Sequence, residues 1–288
     1  MNIVSILSDG TKCTGVEKGI ADYFLTHKDD VFSMSTAELA AATYTSKSAI
    51  TRFCQKLGFN GFNDFKIEFA AQLQKESSQY SVDADFPFGN SANFMEISKN
   101  IYELMEISLT NTYKKMSTME YQKAISLLAA SKRKALFALG DNMAKILSFQ
   151  NKMSKIGVDF LASPLPLDDK EIAFSLSPAD CAIIVSYSGQ TNHLVYIAET
   201  LHEHKVPYIA ICGYLDSTIA KNASVILELS DLEKQSMKLS NFSSQISIEL
   251  CLNTLYGYYF SINYSENTSK RISVDQATSP FFINSKKR

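Results

Sequence analysis

No stretch of this 288-residue chain approaches the ~20 consecutive apolar residues that a membrane-spanning helix needs. Residues 1–7 are also too short for the apolar core of a secretory signal, so the expectation is a cytoplasmic protein with no membrane partner. Net basic charge is missing too: 28 Lys and Arg stand against 30 Asp and Glu, a balance of −2. That excludes a globally basic nucleic-acid binder, and any DNA contact must come from a local patch. The five cysteines (Cys13, Cys54, Cys181, Cys212 and Cys251) stand singly with no C-x-x-C pair. Two of them, Cys181 and Cys212, lie in apolar strand-like runs and read as buried thiols in a reducing compartment. No metal-ligand spacing is present, and no cofactor is implied. Internal repeats are absent. What remains is an ordinary globular composition, 45% hydrophobic and 20% charged, in a chain long enough for two domains.

The most informative segment is Cys181-Ala-Ile-Ile-Val-Ser-Tyr-Ser-Gly-Gln-Thr191. Its apolar run reads as a buried parallel strand. It then breaks into Ser186, Ser188, Gly189, Gln190 and Thr191, and from His193 the apolar spacing is that of a packed helix. Strand, small polar loop and helix together present hydroxyls and backbone N–H groups to an anion at a helix N-terminus. The ligand expected there carries a phosphate.

Around this segment, from residue 134 onward, the pattern alternates between strands (135–139, 158–161, 181–186, 206–212 and 225–229) and helices (142–156, 169–176, 193–204 and a turn at 217–222). Five strands with crossover helices predict a parallel α/β sheet with its ligand at the carboxyl ends of the strands. An apolar helix over about 236–260 follows. It is rich in Leu and Tyr (Leu250, Leu252, Leu255, Tyr256 and Tyr259), which points to packing on the domain or on a second subunit, and so to a dimer or tetramer. From residue 263 the tail reads as frayed. The N-terminal part is helical instead, over 17–26, 34–42, 46–57 and 63–73. Residues 74–93 read as a linker by composition, and 94–130 as a long helical stretch interrupted near 116–118.

On a helical wheel the 46–57 segment buries Ile50, Phe53 and Leu57 and leaves a basic outer face. With the short helix before it, this is a helix-turn-helix plan. Lys47 and Arg52 could reach guanine edges or phosphates, Ser48 and Thr51 could reach either, and Lys56 extends the patch. Over 47–66, four basic residues face only Asp64, a local excess of +3. From the wheel alone, a solvated face of an ordinary helical bundle fits equally well.

The run Thr36-x-Glu-Leu-Ala-Ala…Ser46-x-Ser-x-Ile-Thr-Arg-Phe-x-x-Lys-Leu-Gly-Phe-x-Gly-Phe-x-Asp-Phe-Lys66 resembles the DNA-binding domain of RpiR/MurR-type bacterial transcriptional regulators. In that family a sugar isomerase (SIS) domain follows a helical linker, and its Ser-x-Ser-Gly-x-Thr loop, matched here by Ser186, Ser188, Gly189 and Thr191, holds the phosphate of a phosphosugar. A second family loop, Gly-x-Gly-x-Ser, corresponds to Ala138-Leu-Gly140-Asp-Asn142: Gly140 is kept, Ala138 replaces the first glycine and Asn142 the serine. Asn142 is expected to cap the helix and donate a hydrogen bond. Asp141, which would repel a phosphate, is expected to face solvent or a ligand hydroxyl. Where relatives commonly carry glutamate this chain has His193, which reads as a polar cap or ligand contact rather than a catalyst.

The resemblance implies a helix-turn-helix domain over 1–76, a linker and linker helix over 77–118, a SIS domain with its C-terminal helix over 119–262, and a tail over 263–288. It implies double-stranded operator DNA and a phosphosugar effector as partners, with DNA contacts from Ser46, Lys47, Ser48, Thr51, Arg52 and Lys56. Effector contacts would come from Gly140, Asn142, Ser186, Ser188, Gly189, Gln190, Thr191 and His193. No enzymatic activity is expected. A phosphosugar isomerase with an added helical domain is the alternative, although it leaves the N-terminal match unexplained.

Overall fold

The computed structural model describes residues 3, 6, 7, 13–27, 30, 31, 34–77, 82–163, 165–234 and 237–278. It divides into two compact units, one formed by residues 1–105 and 233–242, the other by 106–232 and 243–288.

The first unit is helical: α1 (Gly15–Thr26), α2 (Thr36–Ala42), α3 (Lys47–Lys56), α4 (Phe62–Ser77) and the start of α5 (Phe94–Lys115). Local sequence explains the starts. Thr14, Ser35 and Ser46 each accept a hydrogen bond from the third residue of the following helix. Thr14 with Glu17 and Ser35 with Glu38 complete reciprocal capping boxes. The core is aromatic. The Phe24 ring stacks on Phe65 at 4.5 Å between centroids and also meets Phe53, Phe62 and Phe69. Phe24 is fully buried, so its truncation to Ala would cost about 3–5 kcal/mol.

Part of the segment that composition marks as linker is well packed. Val82, Asp83, Ala84, Asp85 and Phe86 are buried, and the Asp83 carboxylate accepts from the N–H groups of Asp85 and Phe86. The chain returns to this segment at 233–242. Lys234 N–H donates to the Asp85 carboxylate, Leu239 N–H donates to the Asp85 carbonyl, and the Phe242 ring meets Phe88. This long-range strap has no local sequence signature.

The second unit is a three-layer α/β sandwich. After α6 (Thr118–Ala130) come β1 (Lys134–Phe137), α7 (Asp141–Ser154), α8 (Pro166–Ser175) and β2 (Cys181–Val185). Then follow α9 (Asn192–Glu203), β3 (Tyr208–Cys212), α10 (Thr218–Lys221), β4 (Val225–Glu228), α11 (Phe242–Ile262) and α12 (Tyr264–Thr278). The strands pair in parallel in the order β1-β2-β3-β4. Alternation along each strand serves two cores. Leu136, Ile183, Val185, Ile209, Ile211 and Leu227 face α6, α7 and α11, while Phe137, Ile184, Tyr208, Ala210 and Cys212 face α8, α9 and α10.

The sheet has four strands, not five. Residues 158–161, expected as a strand, make a single bridge from Leu161 to Ala135. Leu161 exchanges two backbone hydrogen bonds with the β1 edge, at 2.7 and 2.8 Å. Pro164 and Pro166 follow almost at once, and a proline cannot donate to a ladder. The tail from residue 263 is likewise not frayed over its described length, because α12 runs to Thr278. The apolar face of α11 is explained within its own unit: Ile248, Cys251, Leu252 and Leu255 belong to the sheet's core. Its hydrophobicity therefore does not require a second subunit.

Candidate ligand loop and DNA-reading helix

Two helices leave the carboxyl ends of the neighbouring strands β1 and β2, and neither has a side-chain cap. Gly140 is the N-cap of α7 and Thr191 that of α9, and both lack the side-chain hydrogen bond that Thr14, Ser35, Ser46, Ser117 and Ser217 provide to their helices. The first N–H groups of a helix have no intrahelical acceptor. Left uncapped, they carry the positive end of the helix dipole at the carboxyl edge of the sheet.

The loop between β2 and α9 is rigidly specified. Ser186 is buried, with its Oγ 3.5 Å from Thr191 Oγ1. Ser188 Oγ accepts from Gln190 N–H. Gly189 has φ +61, and a Cβ there would lie 2.1 Å from Ser217 Oγ. The loop after β3 braces it from behind: Ile219 N–H donates to the Gly189 carbonyl, Gly213 N–H to the Tyr187 carbonyl, and Thr218 Oγ1 to Gln190 Oε1. Gly213 allows the Tyr187 ring to lie against the backbone, since a Cβ at 213 would meet that ring at 2.9 Å. Gly213 and Ser217 escape a reading of the sequence because their partners are 26 and 28 residues away, although Ser217 is legible as a cap.

The second loop departs from expectation in one respect. Asn142 does not cap α7; it lies inside the helix, and its Oδ1 accepts from Gln245 Nε2 of α11 at 2.6 Å. Gly140, with φ +58, holds the cap position itself. Asp141 is exposed. The Asn142–Gln245 contact begins a polar seam between α7 and α11 that continues through Lys145 and Lys152, both paired with Glu249.

His193 lies on the first turn of α9 with Nε2 3.6 Å from Asp169 Oδ2 on α8, too long for a hydrogen bond. Asp169 is fully buried, and among the described residues neither of its carboxylate oxygens has a hydrogen-bond partner. Burial raises its pKa above the ordinary carboxylate value, with His193 pulling the other way. Clefts of about 340 and 540 Å³ lie elsewhere in this unit, against β4 and beside α11, and neither is lined by these loops. No group of three or more metal-ligating side chains occurs among the described residues. Burial pushes the thiols of Cys54 and Cys251 up to about 12 and Cys212 to about 11, which leaves them protonated and inert.

In the helical unit, α2, the turn 43–45 and α3 form a helix-turn-helix. Ser46, Lys47, Ser48, Arg52 and Lys56 of α3 are exposed, while Ile50, Phe53 and Cys54 are buried. The basic patch is smaller than the charge count suggests. Lys56 is paired with Glu17 at 2.7 Å. Lys66 is buried, donates to the Met34 carbonyl at 2.9 Å and lies over the Phe62 ring. Thr51 Oγ1 donates to the Lys47 carbonyl, as β-hydroxyls on helices often do. No helix among the described residues is long and apolar enough to cross a membrane.

Comparison with known proteins agrees with these two halves. The model of the rpiR-family helix-turn-helix domain matches residues 1–76, and that of the SIS domain matches 127–252. An HTH-type transcriptional regulator of Caldanaerobacter subterraneus is 26% identical over 267 residues, 91% of this chain and 93% of that protein. The HTH-type transcriptional regulator HexR of Escherichia coli is 22% identical over 213 residues, 74% of this chain and 72% of that protein. Among solved structures, the Vibrio vulnificus NanR protein complexed with ManNAc-6P aligns with TM-score 0.62 and 17% identity, covering 98% of this chain and 100% of that one. The sugar isomerase domain of an RpiR transcription factor from Sphaerobacter thermophilus aligns with TM-score 0.56 and 15% identity, over 62% of this chain and 98% of that one. The chain belongs to the RpiR-type transcriptional regulators, with an rpiR-family helix-turn-helix domain followed by a SIS domain.

Proposed function

We propose that this regulator binds a phosphosugar at the crevice between the β1–α7 and β2–α9 loops, and that the bound effector changes its affinity for operator DNA. The observation that carries this reading is the pair of uncapped helix N-termini at the ends of adjacent strands, set beside the hydroxyls of Ser186, Ser188 and Thr191. A dianionic phosphate satisfies orphan N–H groups and hydroxyls together, through charge-assisted hydrogen bonds. Gly189, Gln190 and His193 complete the contacts on one side, and Gly140 and Asn142 on the other. NanR, which has the same fold, was solved with ManNAc-6P; for this chain the effector is proposed only as a phosphosugar.

DNA binding is assigned to residues 1–76, with Ser46, Lys47, Ser48, Thr51 and Arg52 at the reading end of α3. Lys56 takes part by exchanging Glu17 for a phosphate. Effector binding is assigned to 119–262, with 77–118 between the two. A homodimer or homotetramer would set two recognition helices at half-sites roughly 34–36 Å apart or a multiple of that. The effector acts by binding one conformation better than the other, since equal affinity for both would shift nothing. No catalytic step is assigned to the chain.

The test is a mobility-shift assay on the DNA upstream of the protein's own gene, with and without a panel of sugar phosphates. Binding altered by one sugar phosphate is the expected result. Binding indifferent to the whole panel would overturn the effector assignment, and turnover of a panel member would favour the isomerase-type alternative.

A further inference from the structure

Within the DNA-binding reading just proposed, on which this inference rests, one residue is assigned no role. Tyr44 stands in the turn between α2 and α3 with φ +53 and is 97% exposed. The turn closes α2 with a Schellman motif, in which Tyr44 N–H donates to the Ala41 carbonyl and Thr45 N–H to the Ala40 carbonyl. The left-handed residue of this motif is ordinarily glycine. The next helix follows that rule: α3 ends in the same two-bond pattern, with Gly58 at φ +94 in the equivalent place.

A bulky side chain in the left-handed region is disfavoured, and at 97% exposure the Tyr44 ring gains almost no packing in return. Lys205 is the other non-glycine residue with positive φ among the described residues. Its ammonium is at home in water, so its exposure needs no explanation. An exposed phenol held in a strained conformation does.

We infer that Tyr44 is a DNA-contacting residue whose phenol hydroxyl donates a hydrogen bond to a backbone phosphate at the rim of the major groove. It lies two residues before Ser46, the N-cap of α3, and the N-terminal end of a recognition helix is the end that enters the groove. A side chain just before that end is placed over the sugar–phosphate strand rather than the base edges. Tyrosine is among the neutral donors that serve phosphates in this way. On α3, the exposed Lys47 and Arg52 supply the charge that brings the strand close.

A neutral donor has a distinct signature. It releases no counterion, so its loss weakens binding without changing the salt dependence. Because it reads no base, its loss weakens specific and mixed-sequence DNA alike. The experiment measures binding of the full chain and of Tyr44→Phe, Tyr44→Gly and Arg52→Ala to the upstream fragment and to a short mixed-sequence duplex, across a range of salt. Tyr44→Phe is expected to lose about two- to tenfold on both DNAs, the size of one hydrogen bond, with an unchanged salt slope. Tyr44→Gly is expected to lose at least as much while melting no lower than the parent, because the backbone strain is removed. Wild-type affinity in both tyrosine variants, with binding lost in Arg52→Ala, would overturn this inference and leave the DNA-binding reading standing. Loss confined to the upstream fragment would place the ring on a base and overturn the phosphate contact. A lower melting temperature for Tyr44→Gly would show that the fold itself uses the ring, again overturning it. A parent chain that binds neither DNA would remove the DNA-binding reading, and this inference with it.

Discussion

A β-carbon on Gly189 would lie 2.1 Å from Ser217 Oγ and 2.4 Å from Ser217 Cβ, so the loop after β2 and the loop after β3 fit together only because residue 189 has no side chain. Gly189 also has φ +61, a second and independent reason for glycine. Gly189→Ala is therefore expected to cost about 1–3 kcal/mol in stability and to weaken effector binding more than tenfold. Thermal melting and calorimetry with the sugar phosphate found in the shift assay read both. Adding Ser217→Gly should restore part of the stability, because it removes the clash but not the strain. An alanine variant that melts and binds like the parent would contradict the geometry.

Ser188 offers its hydroxyl from the same loop. Ser188→Ala is expected to weaken effector binding by about 1–3 kcal/mol, the scale of a lost charge-assisted hydrogen bond, with little change in melting temperature. Equal affinity by calorimetry would move the phosphate away from this hydroxyl.

Arg52 is exposed on α3, where Lys56 is already engaged by Glu17. Arg52→Ala is expected to abolish specific DNA binding and to leave effector binding unchanged, read by mobility shift and calorimetry on the same preparation. Retained specific binding would show that α3 is not the reading helix.

Asp180 ties the starts of β1 and β2 together. Its carboxylate accepts from Arg133 N–H, the Arg133 guanidinium, Ser177 N–H and Ser177 Oγ. The hydrogen bond from Arg133 is the largest cause holding this carboxyl well below the usual carboxylate range. A depressed native pKa means the stabilisation is full above the unfolded-state pKa near 4 and is lost as the pH falls from there through the native value. Asp180→Asn should thus cost about 1.5–3 kcal/mol at pH 7, with the gap to the parent narrowing below pH 4. A constant gap from pH 7 to pH 3 would show that the charge is not what matters.

Asp169 has the opposite sign. Its carboxyl is buried and, among the described residues, has no hydrogen-bond partner, and burial raises its native pKa. The penalty is therefore absent at acid pH, appears above the unfolded-state pKa and grows until the native group ionises. Asp169→Asn is expected to raise the melting temperature at pH 8 and to lose that advantage toward pH 4. Destabilisation at pH 8 would mean that the His193 pairing outweighs desolvation.

Much of the molecule was determined by local sequence. The helix starts at Thr14, Ser35, Ser46 and Ser217 are written in side chains within four residues of the N–H they satisfy. The two central strands, β2 and β3, are continuous apolar runs, as strands buried on both faces must be. The Ser186–Thr191 loop and the α2–turn–α3 unit are local motifs, legible for the same reason. Tertiary structure decided what depends on distant partners. Residues 158–161 have strand composition, but an edge position beside two prolines reduces them to one bridge. Asn142 has a capping side chain, but Gln245, more than a hundred residues away, claims it. Lys56 and Lys66 count as basic patch in the sequence, yet Glu17 and the Met34 carbonyl engage both ammonium groups. Segment 82–86 looks like linker until residues 234 and 239 return to Asp85. Caps and periodicity act over one or two turns of chain and so leave a trace in consecutive residues. Pairing between distant groups is decided by the fold that brings them together, and no stretch of sequence records it.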